Sequence, residues 1–265
     1  MRAWSLAVAV VASAISLTHV SHAEGMRRVG PGDYTPVYAR GGGKGTPVQV
    51  ALFELDVLPV TNREYLAFAV THPEWRRDRV ARIFADAGYL SQWEDATHLG
   101  ARLDPRAPVV EVSWFAARAF CRGRAARLPT EAEWELAAKG RSVDGGSEDE
   151  VRQRILDWYA RPAPLRLPPV GSTPVNEWGI GDLHGLVWEW VSDFNSVLVG
   201  GDPREAASGD RNQFCGAGAL GANDTTDYAA FMRVAFRSAL RADYTTRNLG
   251  FRCARTPPTS SGVGK

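Results

Sequence analysis

The sequence of 265 residues lacks a charge excess, a late apolar run and a large set of cysteines. Its 31 Lys and Arg are balanced by 30 Asp and Glu, which gives a formal net charge of +1 without a basic block. This balance argues against a nucleic-acid groove, where Lys and Arg cluster. The one long apolar run extends from Trp4 to Leu17, so no later segment predicts a membrane span.

The N-terminal segment has the features of a targeting signal. Arg2 supplies a short positive region, the apolar run follows it, and Ser21 and Ala23 place small residues at the minus-three and minus-one positions of a cleavage site. We therefore predict a signal peptide over residues 1–23, a mature chain that begins at Glu24, and a periplasmic or secreted protein without a membrane attachment after cleavage. The alternative is an N-terminal membrane anchor, which the shortness of the run disfavours.

Cysteine and histidine are both scarce in the expected mature chain. Its three cysteines are Cys121, Cys215 and Cys253. An odd number in an oxidising compartment permits at most one internal disulfide and leaves one thiol over. The remaining histidines, His72, His98 and His184, show none of the short spacings typical of metal ligands. The sequence gives no support for a three-histidine metal site.

Helix starts are predicted from capping residues. Thr61 and Glu64 have the capping-box spacing, in which the hydroxyl accepts from one free amide and the carboxylate reaches back to another. The same spacing recurs in two later pairs, Thr130 with Glu133 and Ser147 with Glu150. Ser113 is a natural N-cap for a helix from Trp114 to Arg122. The chain from Pro162 onward is expected to be mostly loop.

Strand-like segments are short and few. Alternation and strand-forming residues predict strands over Val48–Leu58, Val109–Val112, Leu186–Trp190 and Gly250–Ala254. Short helices, short strands and much loop are typical of a compact α+β domain. The Pro- and Ser-rich tail, residues 256–265, is expected to be disordered. No repeat or composition shift indicates a second domain.

Five ordered motifs carry a family resemblance. They are PVTNREY at 59–65, PVVEVSW at 108–114, RLPTEAEWE at 127–135, GDLHGLVWEW at 181–190 and NLGFRC at 248–253. Together they resemble the sulfatase-modifying-factor domain of formylglycine-generating enzymes, the C-terminal part of ergothioneine-pathway (EgtB) sulfoxide synthases and PvdO-type proteins. The resemblance implies one loop-rich, C-type-lectin-like α+β domain over residues 29–255.

The resemblance also implies a disulfide and a metal site. Family members pair the cysteines equivalent to Cys121 and Cys253, which would leave Cys215 as the spare thiol. The family binds calcium through residues that match Asp182, Gly185, Val187 and Glu189. Hard oxygen ligands on a tight turn suit calcium. The alternative is that the two carboxylates only stabilise turns beside the tryptophans of this motif.

The sequence departs from the family at the cysteines that bind copper. Formylglycine-generating enzymes use a C-x4-C pair, and soft thiolates are the ligands that Cu(I) prefers. Counting back without gaps from Cys253, the two positions are Asp224 and Ala229. We therefore expect this chain not to catalyse copper-dependent formylglycine formation, and the sequence identifies no other redox metal.

Three interpretations of the altered pocket remain open. An enzyme with changed, oxidoreductase-like chemistry would use Cys215, Asp224 or Asp227 to modify or mature an exported protein or a small molecule. A non-catalytic, calcium-stabilised accessory module would bind an exported protein or peptide. In the third, Cys215 is a small buried residue and the two aspartates cap a turn. The sequence does not indicate the oligomeric state.

Further similarities point to a subgroup. Residues 72–77, 84–86, 214–216 and 227–233 are similar to periplasmic NirV-type proteins associated with copper nitrite reductases, which favours a maturation or accessory role. Three arginines that the family shares in this region, Arg233, Arg237 and Arg252, are expected to hold loops through charge-assisted hydrogen bonds rather than to contact substrate.

Overall fold

The computed structural model describes residues 25–37, 46–195 and 225–258. The predicted signal peptide and all of the tail beyond residue 258 lie outside this range. The strands are β1 Met26–Val29, β2 Gly32–Tyr34, β3 Val48–Val50, β4 Phe53–Asp56, β5 Trp188–Glu189, β6 Leu249–Gly250 and β7 Ala254–Arg255. The helices are α1 Asn62–Thr71, a 3-10 turn Pro73–Trp75, α2 Trp114–Gly123, α3 Glu131–Ala138, α4 Glu148–Ala160 and α5 Thr225–Ser238.

The strands form three small sheets. β4 is the centre of an antiparallel sheet in the order β1-β4-β7, where Leu55 lies opposite Arg27 on one side and Ala254 on the other. β2 pairs with β3, and β5 pairs in parallel with β6. Strand β7 therefore places the end of the domain in the same sheet as its beginning, on the other side of β4. The short β5–β6 pair positions the motif around Trp188.

Three predicted strands differ from the structure. The expected strand Gly250–Ala254 covers only the end of β6 and the start of β7. The expected strand Val48–Leu58 divides into β3 and β4, because β3 pairs with β2 whereas β4 pairs with β1 and β7. The expected strand Val109–Val112 is not a strand. Glu111 has a φ of 59°, in the left-handed region, and the amides of Val109 and Glu111 donate to the carbonyls of Val60 and Thr246 on different segments.

The capping predictions are confirmed. The hydroxyls of Thr61, Thr130 and Ser147 accept from the amides three residues later, and the matching glutamates return the bond. Ser113 caps α2, which ends at Gly123. Because these contacts join residues only three apart, they depend little on the rest of the fold.

Helix α5 is the main element that the sequence interpretation missed. It occupies fourteen residues, Thr225–Ser238, of a region expected to be loop. The available signal is the helical spacing of Tyr228, Phe231, Met232, Ala235 and Phe236. Arg233 and Arg237 lie four residues apart and are buried on the same side as Ala229. The buried side of α5 therefore carries two charged residues, which do not follow a simple apolar pattern.

The core lies between α1, α2 and the β4 sheet. Tyr65 is fully buried and contacts the rings of Phe120 and Phe251, whose centroids lie 5.7 and 6.1 Å away. Beside these rings the structure joins Cys121 to Cys253, as the resemblance predicted, with Cα atoms 5.5 Å apart. The disulfide fixes α2 to the segment between β6 and β7. Among the described residues, none of the helices has the length and apolar character required to cross a bilayer.

Candidate functional site

Asp182 organises the turn that begins the GDLHGLVWEW motif. Its Oδ1 accepts hydrogen bonds from the amide and hydroxyl of Thr173, at 3.0 and 2.9 Å, and its Oδ2 accepts from the amide of Gly171. The Asp182 amide donates to the same hydroxyl at 2.9 Å. Asp182 has a φ of 56° and is buried. The carboxylate therefore joins this turn to the preceding loop.

Glu189 lies at the other end of the motif and is fully paired. Its Oε2 accepts from Nε of Arg252 at 2.8 Å and from Nε1 of Trp134 at 2.7 Å, and its Oε1 accepts from Nη2 of Arg252 at 2.8 Å. Arg252 also donates to the carbonyls of Gly181 and Asp56, at 2.9 and 3.1 Å. The expected role of Arg252, holding loops through charge-assisted bonds, is confirmed.

These contacts test the expected calcium ligands. Every carboxylate oxygen of Asp182 and Glu189 already accepts from a protein donor, and calcium needs roughly six to eight oxygen ligands. A calcium ion at Glu189 would also compete with the positive guanidinium of Arg252. As arranged, the set that includes Gly185 and Val187 does not fit a calcium ion, and we expect none to bind there.

A second buried charge cluster lies between α3 and α5. Glu135 is completely buried and receives two bonds from Arg233, at 2.8 and 2.6 Å, and one from Arg237 at 3.1 Å. Burial raises the pKa of Glu135, but the two arginines outweigh it and lower the pKa to about 2. Both guanidinium groups also lie over the ring of Trp134, at 5.5 and 4.7 Å. These arginines hold two helices together, whereas loop contacts were expected.

Two neighbours of this cluster have strongly shifted pKa values. Burial raises the pKa of Glu131 to about 7, and the nearby Glu135 carboxylate adds to the shift. Burial and Arg233 lower the pKa of His184 to about 3. The Nδ1 atom of His184 is buried and has no hydrogen-bond partner among the described residues. Glu131 can therefore exchange a proton near neutral pH, while His184 stays neutral.

Aromatic rings surround the outer end of the same cluster. Tyr159 accepts a 2.8 Å bond from Nη1 of Arg233 and stacks on Trp188, with centroids 4.8 Å apart. Trp188 in turn lies 4.6 Å from Phe236 of α5. Rings from β5, α4 and α5 thus pack against one another. We use the name α3–α5 face for these rings together with Glu131, Glu135 and Arg233.

The three expected catalytic residues fall largely outside the described structure. Cys215 and Asp224 lie outside the described residues, and Asp227 is in α5 with an undescribed side chain. Ala229, which the ungapped count from Cys253 matched to the second copper cysteine, is a buried residue of α5. The cysteines that are described, Cys121 and Cys253, are joined to each other. In the described ranges, no group of three or more His, Cys, Asp or Glu is arranged to hold a metal ion.

Comparisons with known proteins agree with the motif analysis. The sequence model described as "Sulfatase-modifying factor enzyme 1-like domain" matches residues 14–257. The formylglycine-generating enzyme of Streptomyces coelicolor is 37% identical over 186 residues, which cover 62% of this chain and 58% of that protein. The chain thus spans just over half of that relative's length.

A longer alignment joins the chain to a bovine protein. "Inactive C-alpha-formylglycine-generating enzyme 2" of Bos taurus is 29% identical over 262 residues, covering 82% of this chain and 80% of that protein. Among solved structures, PvdO from Pseudomonas aeruginosa superposes with a TM-score of 0.51 at 21% identity and covers 87% of this chain and 94% of that chain. This last likeness concerns the fold alone.

Proposed function

The chain belongs to the sulfatase-modifying factor enzyme 1-like family, and on this premise we propose that it serves the maturation of another exported protein by binding a segment of it. The proposal excludes copper-dependent formylglycine formation. Export follows from the predicted signal peptide and agrees with the Cys121–Cys253 disulfide, since disulfides persist outside the cytosol.

The observation that carries the proposal is Ala229. Counted back without gaps from Cys253, this residue falls where the resemblance places a copper-binding cysteine, and its methyl group is buried in α5. A Cu(I) dithiolate needs two thiolates, but only Cys215 remains once Cys121 and Cys253 are bonded to each other. A copper centre of the family type therefore has no second sulfur ligand in this chain.

The buried charges of the α3–α5 face stabilise the fold, and Arg233 is not free to take part in chemistry. Arg233 is committed to Glu135 and Tyr159. A buried ion pair of this kind positions helices, and removing one partner would leave an uncompensated charge. The name of the bovine relative, an inactive formylglycine-generating enzyme, indicates that loss of this reaction has a precedent among proteins that align with most of this chain.

The test is a direct comparison with the Streptomyces relative. Both proteins are incubated with a peptide carrying a sulfatase-type cysteine motif, copper, oxygen and a thiol reductant, and the aldehyde is captured with a hydrazide and detected by mass spectrometry. We expect aldehyde from the relative and none from this chain. Aldehyde formation by this chain would overturn the claim that the reaction is absent.

A second candidate, modification of the bound segment by another chemistry, is favoured by Glu131. This carboxylate has a pKa of about 7, and its Oε1 lies 3.4 Å from the hydroxyl of Tyr34. A group that titrates near neutral pH can act as a general acid or base. The test is whether this chain changes a peptide covalently. A change that Glu131→Gln abolishes, and that the exposed control Glu74→Gln keeps, would favour this candidate over binding alone.

A further inference from the structure

A cavity of about 490 Å³ is lined by residues of the PVTNREY and PVVEVSW motifs and of the loop that precedes the second motif. It lies between the start of α1, the loop through residues 101–111 and the segment at Arg166 and Leu167. This volume is typical of ligand sites. None of the described residues of α3 or α5 lines it, so it is separate from the α3–α5 face and independent of any reaction there.

The floor of the cavity is a fixed hydrogen-bond network around Asn62. The buried amide nitrogen of Asn62 lies within 3.3, 3.2 and 3.4 Å of the carbonyl oxygens of Asp104, Ala107 and Pro108. Its Oδ1 accepts from the indole nitrogen of Trp93 at 3.3 Å. One side chain therefore holds the loop, the start of α1 and an aromatic ring together, and the cavity is formed before a ligand arrives.

Glu111 is part of the wall of the cavity. It is buried with a left-handed φ of 59°, and its Oε2 accepts from the hydroxyl of Ser91 and the amide of Gln92, both at 2.9 Å. Arg247 lies 3.5 Å from Oε1. Left-handed non-glycine residues cost about 1–3 kcal/mol and concentrate at functional sites. The strain at Glu111 is consistent with a wall shaped for binding.

The cavity has a surplus of positive charge. Four arginines line it: Arg63, Arg102, Arg106 and Arg166. Both acids that line the cavity already have partners. Asp104 pairs with Arg106 at 3.1 Å, and Glu111 accepts from Ser91 and Gln92 and lies near Arg247. Within the described ranges, the other three guanidinium groups form neither an ion pair nor a hydrogen bond, and all three are exposed. They are free to pair with carboxylates, which the planar guanidinium binds through two parallel bonds.

Between the arginines the lining is apolar. The side chains that provide this surface are Leu103, Pro105, Pro108, Val110 and Leu167. A small inorganic anion would use the charges and leave this surface uncovered, whereas a chain with alternating acidic and aliphatic side chains would use both. We propose that this cavity binds an acidic peptide segment, whose carboxylates pair with Arg63, Arg102 and Arg166.

The test measures binding of two synthetic peptides to the purified full chain by fluorescence anisotropy. One peptide alternates Glu and Leu, and the other replaces each Glu by Gln at the same length. We expect the acidic peptide to bind at least about tenfold more tightly, with an affinity that falls as salt rises, because salt screens exposed charges. Equal affinity of the two peptides would overturn the proposal.

A matched pair of variants locates the binding. Arg63→Gln/Arg102→Gln/Arg166→Gln removes the three free guanidinium groups, and Arg79→Gln/Arg82→Gln/Arg161→Gln removes three exposed arginines that do not line the cavity. We expect the first variant to weaken the acidic peptide about tenfold and the second to leave it within about twofold, with both unfolding at the wild-type temperature. Equal loss in both variants would overturn the site.

Two competitors test the ligand class. Glutarate, a small dicarboxylate, and a single-stranded oligonucleotide of similar charge are each added to the complex. We expect neither to displace the peptide at an equal concentration of charged groups. Displacement by glutarate would show that a small acid is sufficient as the ligand. Tighter binding of the oligonucleotide would indicate a nucleic-acid site. Either result overturns the peptide assignment.

Discussion

Arg252 donates two hydrogen bonds to Glu189 across 63 positions of sequence, and both side chains are completely inaccessible to solvent. The pair joins β5 to the segment that carries the disulfide, and the guanidinium also binds the carbonyls of Gly181 and Asp56. The pair thus engages Glu189, one of the four residues that the family resemblance implied as calcium ligands.

Removing one partner of this pair should destabilise the fold strongly. Arg252→Met leaves the Glu189 carboxylate buried without its cation, and we expect the free energy of unfolding to fall by about 3–5 kcal/mol. The control is Arg255→Met, which breaks the partly exposed pair with Glu54 and should cost at most about 1 kcal/mol. Urea denaturation measures both. Equal losses would contradict the assigned role of Arg252.

Calcium should have little effect on stability. Because protein donors engage every carboxylate oxygen of Asp182 and Glu189, we expect the Tm to be unchanged by a chelator or by added calcium. Wild-type protein and Glu189→Gln are compared by thermal melting. A calcium-dependent rise of the wild-type Tm that Glu189→Gln removes would instead support calcium ligation by this set.

Glu131 and His184 should give the protein opposite pH dependences. The folded pKa of Glu131, about 7, lies above its ordinary value of 4.5, so folding binds a proton and stability falls as pH rises from about 4.5 to 7. The folded pKa of His184, about 3, lies below its ordinary 6.5, so stability falls as pH drops below about 6.5. Between about pH 4.5 and 6.5 the two contributions oppose each other.

Single variants separate these contributions. Relative to wild type, the unfolding free energy of Glu131→Gln should rise with pH across this window, and that of His184→Gln should fall, each by about 1.4 kcal/mol per pH unit at most. Urea denaturation at several pH values between about 5 and 6.5 measures the differences. Two variants with slopes of the same sign would contradict the assignments.

Thiol chemistry should identify Cys215 as the one free cysteine. The oxidised chain, alkylated in denaturant and digested, should carry label at Cys215 and none at Cys121 or Cys253. Because the disulfide closes a loop with a sequence separation of 132, reduction should lower the unfolding free energy by about 5 kcal/mol in the chain-entropy model. Label at Cys121 or Cys253 before reduction would contradict the pairing.

The predicted export is tested by the N-terminus of the mature protein. We expect chain purified from the periplasmic or secreted fraction to begin at Glu24, as read by N-terminal sequencing or intact mass. Substitution of Ala23 by Arg should block cleavage, because the site requires a small residue at this position. Protein that keeps Met1 and remains with the membrane would favour the anchor instead.

The sequence alone determined the features that depend on near neighbours. The capping boxes at Thr61, Thr130 and Ser147 join residues three apart, so their helices could be placed from composition and spacing. The five ordered motifs identified the family. The missing C-x4-C pair and the cysteine count, which place a limit on redox chemistry, are also properties of the sequence itself.

Tertiary structure decided which distant charges meet. Glu135 and Arg233 are 98 positions apart, and although the spacing of apolar residues in α5 is a local signal, no local pattern shows that its arginines pair with α3. In the same way, only the fold shows that Asn62 donates a hydrogen bond to the carbonyl of Ala107. Only the fold shows that three arginines, unpaired within the described part of the chain, line one cavity. The reason is physical: a buried charge must find a partner wherever the chain brings one within reach, and sequence distance does not enter that requirement.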